Sequence, residues 1–290
     1  ALLSGLLGWA AARRGLAPLR DIVRHAAAIT ASKLDQRLAA EAIPEELAEV
    51  VRTLNAMLAR LESSFQRLSD FSSDIAHELR TPVSNLLTQT QVTLSRARSL
   101  AEYQDVLASN AEEFERLSRT IADMLFLAKA DNRLLIPTRE AVNLEAEVHG
   151  LLEFYEALAE DKALALSCTG SADVTGDRLM LRRAISNLLS NAVRHTPPNG
   201  HVSVALASDG EMARIRVENS GPGIAPDHLP RLFDRFYRAD ASRQHSGEGS
   251  GLGLAISLSI LQAHGGGIEV HSADGLTVFE AHLPRTPHAP

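Results

Sequence analysis

Between Pro44 and Pro82 no glycine or proline interrupts the chain, and Leu47, Val50, Leu54, Met57 and Leu61 recur at steps of 3, 4, 3 and 4. This spacing predicts one long helix with a coiled-coil seam. The pattern runs on through Phe65, Leu68, Phe71 and Ile75, and Pro82 is expected to bend the helix before it resumes through Val83, Leu86 and Leu87 to about Arg96. A further helix is predicted over about 101–130, with Val106, Leu107, Phe114, Leu117, Ile121, Met124 and Leu125 as its apolar stripe. Two such helices bury too little alone, so the expected unit is a homodimer forming a four-helix bundle. Upstream, Pro18 suits the first turn of another helix reaching about Thr30, with residues 31–43 as connector.

His77 lies on this long helix within Asp74-Ile75-Ala76-His77-Glu78-Leu79-Arg80-Thr81-Pro82. Positions i and i+4 share a helix face, so His77 and Thr81 point the same way, with Glu78 beside them. An imidazole acts as a nucleophile when a neighbour manages its proton, and Glu78 is placed to do so. A zinc site of the His-Glu-x-x-His type is excluded, because Thr81 stands where the second histidine belongs. From this segment alone, an ordinary solvated or packed histidine remains an equal alternative.

Composition narrows the class. Aromatics are 4% of the 290 residues while alanine and leucine dominate, which favours helix over sheet. A net charge of -7 argues against nucleic acid as a partner. Cys168 is the single cysteine, which excludes an internal disulfide and a cysteine metal cluster and suits a reducing cytoplasm. Residues 1–12 are apolar and precede Arg13 and Arg14. Twelve residues fall short of the about 20 that span a bilayer, so the segment is expected to be the end of a transmembrane helix, with the arginines on the cytoplasmic side and Trp9 near the interface. A buried soluble helix is the alternative.

After a linker at 131–137 the pattern changes to short alternating runs at 163–169, 202–207, 213–219, 267–272 and 276–283. Helical stretches at 144–161, 177–195 and 251–264 separate them. This predicts an α+β domain with a mixed or antiparallel sheet.

Four features stand out in this domain. Asn187 and Asn191 share one helix face, where amide oxygens can hold Mg²⁺ together with phosphate oxygens, and Arg194 can add positive charge toward phosphates. Two surface asparagines are the plainer alternative. Asn219-Ser220-Gly221-Pro222-Gly223-Ile224 follows a strand, and its glycines allow close backbone approach to a flat ligand, or simply make a surface turn. Phe233-Asp234-Arg235-Phe236-Tyr237-Arg238 is aromatic and basic and by itself reads as packing. Gly247-Glu248-Gly249-Ser250-Gly251-Leu252-Gly253-Leu254 opens a helix and offers backbone N–H groups to an anion. It lacks the Lys-Ser/Thr of a Walker A loop and the third glycine of a dinucleotide fingerprint. The small, polar segment 239–250 suits a mobile lid.

In this order and spacing, the motifs resemble those of bacterial sensor histidine kinases of two-component systems. The His77 segment is similar to the family's H box, Asn187–Asn191 to the N box, Asn219–Gly223 to the G1 box, Phe233–Phe236 to the F box and Gly249–Gly253 to the G2 box. The resemblance covers nearly the whole chain. It implies a HAMP relay domain at 13–65, a dimerisation and phosphotransfer domain at 66–131 and a gyrase/Hsp90-like ATP-binding sandwich at 137–290. It implies ATP and Mg²⁺ as cofactors, with the nucleotide bound by Asn187, Asn191, Arg194, His195, Asn219, Gly221, Gly223, Arg238, Gly249, Gly251, Leu252 and Gly253, and the metal by Asn191 with Asn187. His77 would be the phosphoryl acceptor, Glu78 its proton partner, and Thr81 an aid to dephosphorylating the regulator. The implied partners are a second copy of the chain, a response regulator and a bacterial inner membrane, with residues 13–290 in the cytoplasm. One departure concerns the G1 box, where the family's aspartate accepts a hydrogen bond from the adenine amino group; Asn219 offers a side-chain oxygen instead. An asparagine there resembles a subgroup similar to heavy-metal sensor kinases. Two other readings stay open: an ATPase without phosphohistidine chemistry, and a nucleotide-binding scaffold.

Overall fold

The structure is a computed structural model that describes residues 45–132, 134–239 and 250–286, and before residue 45 only positions 3, 5, 9, 20, 24, 30 and 33–37. Most of the segment 1–12 expected to enter a membrane, most of the expected first relay helix, Gly247–Gly249 and most of the expected lid segment therefore lie outside the described residues. Among the described residues no helix is long and apolar enough to cross a membrane. The chain divides into two compact units, Ala1–Thr88 and Gln89–Pro290.

The first unit is dominated by helix α1, Glu45–Leu94, whose last residues pass into the second unit. Pro82 sits inside it. Proline has no N–H to donate, so the Glu78 carbonyl lacks its usual helical partner one turn after His77. The apolar positions of α1 fall into two stripes. Val51 is fully buried with Leu47 and Leu54 packed against it, and Leu58 is buried, whereas Val50, Met57 and Leu61 are exposed. The helix carries two overlapping heptad stripes that share Leu47 and Leu54. Within the single chain the covered stripe is 47-51-54-58, while the seam expected between partner helices, 47-50-54-57-61, has Val50, Met57 and Leu61 exposed.

In the second unit, helix α2 spans Leu100–Asp131. Its start is fixed by a capping box: the Ser99 hydroxyl accepts from the Glu102 N–H at 3.3 Å, and the Glu102 carboxylate accepts from the Ser99 N–H at 2.8 Å. Beyond it come β1 (Glu140–Asn143), α3 (Leu144–Asp161), β2 (Ala165–Thr169), β3 (Asp173–Gly176), α4 (Arg178–His195), β4 (His201–Asp209), β5 (Met212–Ser220), a 3₁₀ turn (Leu229–Arg231), α5 (Gly253–Ala263), β6 (Gly267–Ala273) and β7 (Leu276–Pro284). Five strands form one sheet in the order β2-β4-β5-β7-β6, with β2 parallel to β4 and the other pairs antiparallel. β1 and β3 form a separate antiparallel pair. Neither short strand was expected, and β2 begins at Ala165 rather than Ala163, because Ala163 has φ 51° and belongs to the preceding turn.

Alternation decides which face is covered. Val204, Val217 and Phe279 form one buried row across β4, β5 and β7, and Leu206, Ile215 and Ala281 form the next. The opposite face is polar, with Arg216 donating to Glu218 at 2.6 Å and Arg214 lying 3.7 Å from Glu280. α4 supplies Leu181, Ile185, Leu188, Leu189 and Ala192 to the core, and α5 supplies Ala255, Ile256, Ile260 and Leu261. Each fully buried leucine, isoleucine or phenylalanine contributes roughly 1.5–3 kcal/mol of apolar burial.

Two polar joints hold the helices. Glu147 on α3 is buried and accepts from Arg178 at 2.5 Å and Arg182 at 2.9 Å. Burial pushes its carboxyl up, but the hydrogen bonds and charges of Arg182 and Arg178 outweigh this and hold it below the ordinary range. Asp177 caps α4 by accepting from the Met180 N–H at 3.0 Å, and its other oxygen accepts from the Thr138 N–H and hydroxyl. The Asp177 N–H in turn donates to Nε2 of His264, at the end of α5, whose Nδ1 faces the Ile260 carbonyl at 2.8 Å. The ring thus bridges the start of α4 and the last turn of α5.

Candidate functional site

His77, Glu78 and Thr81 are all exposed on α1. Helical geometry puts His77 and Thr81 on one face, with Glu78 at its edge. The α1 surface therefore offers an accessible imidazole, a carboxylate beside it and a hydroxyl one turn on.

In the second unit, the sheet rows lead to the other candidate residues. Asn219 continues the buried rows at the end of β5, between Val202 on β4 and Thr277 on β7. It is a buried polar side chain, 3% exposed, among apolar ones. Its Nδ2 donates to the Ser220 carbonyl at 3.2 Å, which leaves Oδ1 as the acceptor of the amide. After it the backbone turns sharply. The Gly221 N–H donates to the Gly275 carbonyl, and a Cβ on Gly221 would stand 3.2 Å from the His195 carbonyl at the end of α4. Gly223 has φ +77°, and the next N–H, of Ile224, donates to the Ser272 hydroxyl at 2.8 Å.

The middle of α4 meets the glycine turn. Nδ2 of Asn187 donates to the Gly253 carbonyl at 3.0 Å. Asn191, one turn on, is half-buried and has no hydrogen-bond partner among the described residues, so its amide is open. Contacts at Asn187 and at His195 are eight residues apart, about 12 Å along the helix. Along this stretch of α4, the turn that follows Asn219 lies against one contact and the start of α5 against the other. Arg194 and His195 are exposed in the last turn of α4. Lys162, which sequence reasoning missed, donates to the Val193 and Arg194 carbonyls at 3.1 Å and closes that helix end.

The two described glycines of the turn differ in kind. Gly251 has φ +70°, and a Cβ there would lie 2.8 Å from the Cα and carbonyl carbon of Phe236, whose N–H donates to the Gly251 carbonyl. The fold itself demands this glycine. A Cβ on Gly253 would meet only ordinary contacts, 3.6 Å to Asn187 Cγ, so nothing among the described residues requires its absence. Leu252 between them is fully buried and stands at the N-cap of α5 without a side-chain cap. The first-turn N–H groups of α5 thus have no intrahelical acceptor, a setting suited to phosphate oxygens. The residues present fit a nucleotide with a hard divalent cation: an open amide acceptor for a base, open helix amides for phosphates, and amide oxygens for Mg²⁺.

The aromatic-basic segment is mainly structural. Phe233 packs edge-on against buried Phe279, and Arg231 stacks over the Tyr237 ring at 4.3 Å. The Tyr237 hydroxyl lies 2.6 Å from His228 Nδ1. Arg235 pairs with Asp131 at the end of α2, and Arg238 is exposed. Arg183 on α4 pairs with Asp123 on α2 and stacks over Phe126. Burial pushes the Asp123 carboxyl up, only partly offset by Arg183. Gly249 lies outside the described residues. A separate cleft of about 350 Å³ between α3 and β2, lined by His149, Leu152, Glu153 and Cys168 among others, contains none of these groups.

A mixed sheet covered by helices, with a glycine turn opening the helix that abuts α4, is the architecture of an ATP-binding domain of the gyrase/Hsp90 class. Residues 176–287 match the histidine kinase-, DNA gyrase B- and HSP90-like ATPase family, residues 67–133 the His Kinase A (phospho-acceptor) domain and residues 10–63 the HAMP domain. The chain is 50% identical over 275 residues to the sensor histidine kinase CusS of Escherichia coli (strain K12), covering 94% of this chain and 57% of that protein. It is 45% identical over 280 residues to the probable sensor kinase SilS of Salmonella typhimurium, covering 95% of this chain and 56% of that one. The chain therefore spans somewhat more than half the length of these relatives. Its fold matches the Acinetobacter baumannii histidine kinase AdeS with a TM-score of 0.60 at 24% identity, covering 72% of this chain and 98% of that one. The chain belongs to the sensor histidine kinases of two-component systems.

Proposed function

We propose that this chain phosphorylates itself on His77 from ATP and passes the phosphoryl group to an aspartate of a response regulator. The observation that carries this reading is the exposed His77–Glu78–Thr81 face of α1, in a chain whose second unit sets Asn187 against the glycine turn and holds Asn219 at a buried strand end. Asn219 accepts the adenine amino group, while Gly221 and Gly223 let the backbone approach the ring. The open N–H groups of α5, with Arg194 and Arg238, hold the phosphates; His195 and Leu252 border the nucleotide. Asn191, assisted by Asn187, holds Mg²⁺, which neutralises phosphate charge when bound. A ring nitrogen of His77 attacks the γ-phosphorus in line, a P–N bond forms, the bond to the β,γ-bridging oxygen breaks, and ADP leaves. Glu78 takes or orients the proton of the other ring nitrogen. Thr81 positions a water that hydrolyses the regulator's acyl phosphate.

In this reading residues 13–65 relay a signal, residues 66–131 dimerise and carry His77, and residues 137–290 bind ATP. The chain works as a homodimer at a bacterial inner membrane. The similarity to CusS and SilS, together with Asn219, supports placing it among heavy-metal sensors.

Incubation with γ-labelled ATP and Mg²⁺ tests the proposal. Acid-labile, base-stable label is expected on the native chain and none on His77→Gln. Thr81→Ala should label normally but dephosphorylate a labelled regulator more slowly. Free phosphate without protein label would indicate an ATPase instead, and nucleotide binding with neither product would indicate a scaffold.

A further inference from the structure

Ser257 is a hydroxyl on the apolar, buried face of α5, flanked by Ala255, Ile256, Ile260 and Leu261, and it has no exposed surface. A hydroxyl there costs free energy unless it is hydrogen-bonded. Its Oγ lies 3.1 Å from the Ala184 carbonyl on α4 and 3.1 Å from the Gly253 carbonyl on its own helix. One proton serves only one of them. The Gly253 carbonyl already accepts Nδ2 of Asn187 and, as a first-turn helical carbonyl, the Ser257 N–H. The Ala184 carbonyl, buried in the interior of α4, has only its helical N–H partner and a lone pair to spare. The hydroxyl therefore donates to Ala184.

Two cross-links consequently join the helices, one in each direction. Asn187 on α4 donates to Gly253 on α5, and Ser257 on α5 donates to Ala184 on α4. Ala184, Asn187 and Asn191 share one face of α4, and Gly253 and Ser257 share one face of α5. The face carrying the open Asn191 amide is thereby set against the helix start that carries the open N–H groups. A single link is a pivot; two links fix both spacing and rotation.

We infer that Ser257 is a positioning residue of the nucleotide site: its hydroxyl locks the α5 N-terminus to α4 so that the glycine-turn amides and Asn191 address the same phosphates. Ser257 touches no ligand and acts through Gly253 and Asn191. The inference rests on the nucleotide-binding reading above. Losing the lock weakens contacts to phosphates and leaves those to the base, around Asn219, unchanged.

The test is calorimetric titration of the chain with Mg·ADP and, separately, with adenosine, for wild type, Ser257→Ala and Ser257→Thr, alongside thermal midpoints. Ser257→Ala should weaken Mg·ADP about five- to tenfold, the effect of one lost hydrogen bond, and leave adenosine within about twofold. Ser257→Thr, which keeps the hydroxyl, should restore Mg·ADP binding. Equal weakening of both ligands by Ser257→Ala, or unchanged Mg·ADP binding, overturns the positioning role. Wild-type protein that binds neither ligand overturns the nucleotide reading itself, and is distinguished by failing before any substitution is made.

Discussion

Glu147 shows how one carboxylate ties acid tolerance to fold. Its folded carboxyl lies below the ordinary value of 4.5, because two arginine partners outweigh burial. A depressed carboxylate contributes stability that is complete above the unfolded value and lost as pH falls through the folded one. The second unit should therefore lose stability below about pH 4.5, with Glu147→Gln flattening that acid limb in a pH series of thermal melts. At neutral pH the same substitution should cost about 1–2 kcal/mol, since both arginines can turn to solvent once the carboxylate is gone. A wild-type acid limb retained in the variant would assign the pH response elsewhere. At this scale the sequence was legible where a residue type breaks its local pattern within a motif. Asn219 at the end of an alternating strand and Asn187 four residues before Asn191 both stood out. Ser257 did not, although it interrupts an apolar run four residues after Gly253, because its meaning depends on a carbonyl of another helix.

At the scale of elements, the glycine turn before α5 separates two requirements that its sequence merges. Gly251 is held by its own φ of +70° and by the Phe236 backbone, while Gly253 is free of both constraints. Gly251→Ala should lower the thermal midpoint, at a cost above about 1 kcal/mol, because an L residue there meets both torsional strain and a steric clash. Gly253→Ala should keep stability within about 0.5 kcal/mol and instead weaken Mg·ADP binding. If both variants melt alike, the distinction fails. Long periodic helices were readable from sequence, as were the five strands of the main sheet, because their periods persist over many residues. β1 and β3 were not, since four residues apiece give too little alternation to register.

Taken as a single chain, the molecule leaves much apolar side chain uncovered along its two long helices. Val50, Met57, Leu61, Phe65 and Leu68 on α1, and Leu107, Phe114, Ile121 and Leu125 on α2, are each more than two-fifths exposed. Recurrence at helical spacing makes stripes of them rather than scattered residues, and such stripes mark protein contacts. A Phe114→Glu, Ile121→Glu double variant should convert a dimer to a monomer by sedimentation velocity and lower the thermal midpoint. In a chain that stays single, both exposed sites would tolerate the change with little effect. The sequence carried this level well, because an amphipathic helix advertises its apolar face whether or not a partner is present.

The corner at Asp177 has a consequence for how the chain is made. Its carboxylate holds Thr138, 39 residues earlier, and its N–H is held by His264, 87 residues later. Contacts so distant along the chain must await the closure of long loops and form late. On a ribosome the start of α4 emerges well before its imidazole support exists. Helix α4 therefore gains its full anchorage only when the last helix of the domain has been synthesised, which keeps a partly made chain from presenting a finished nucleotide site.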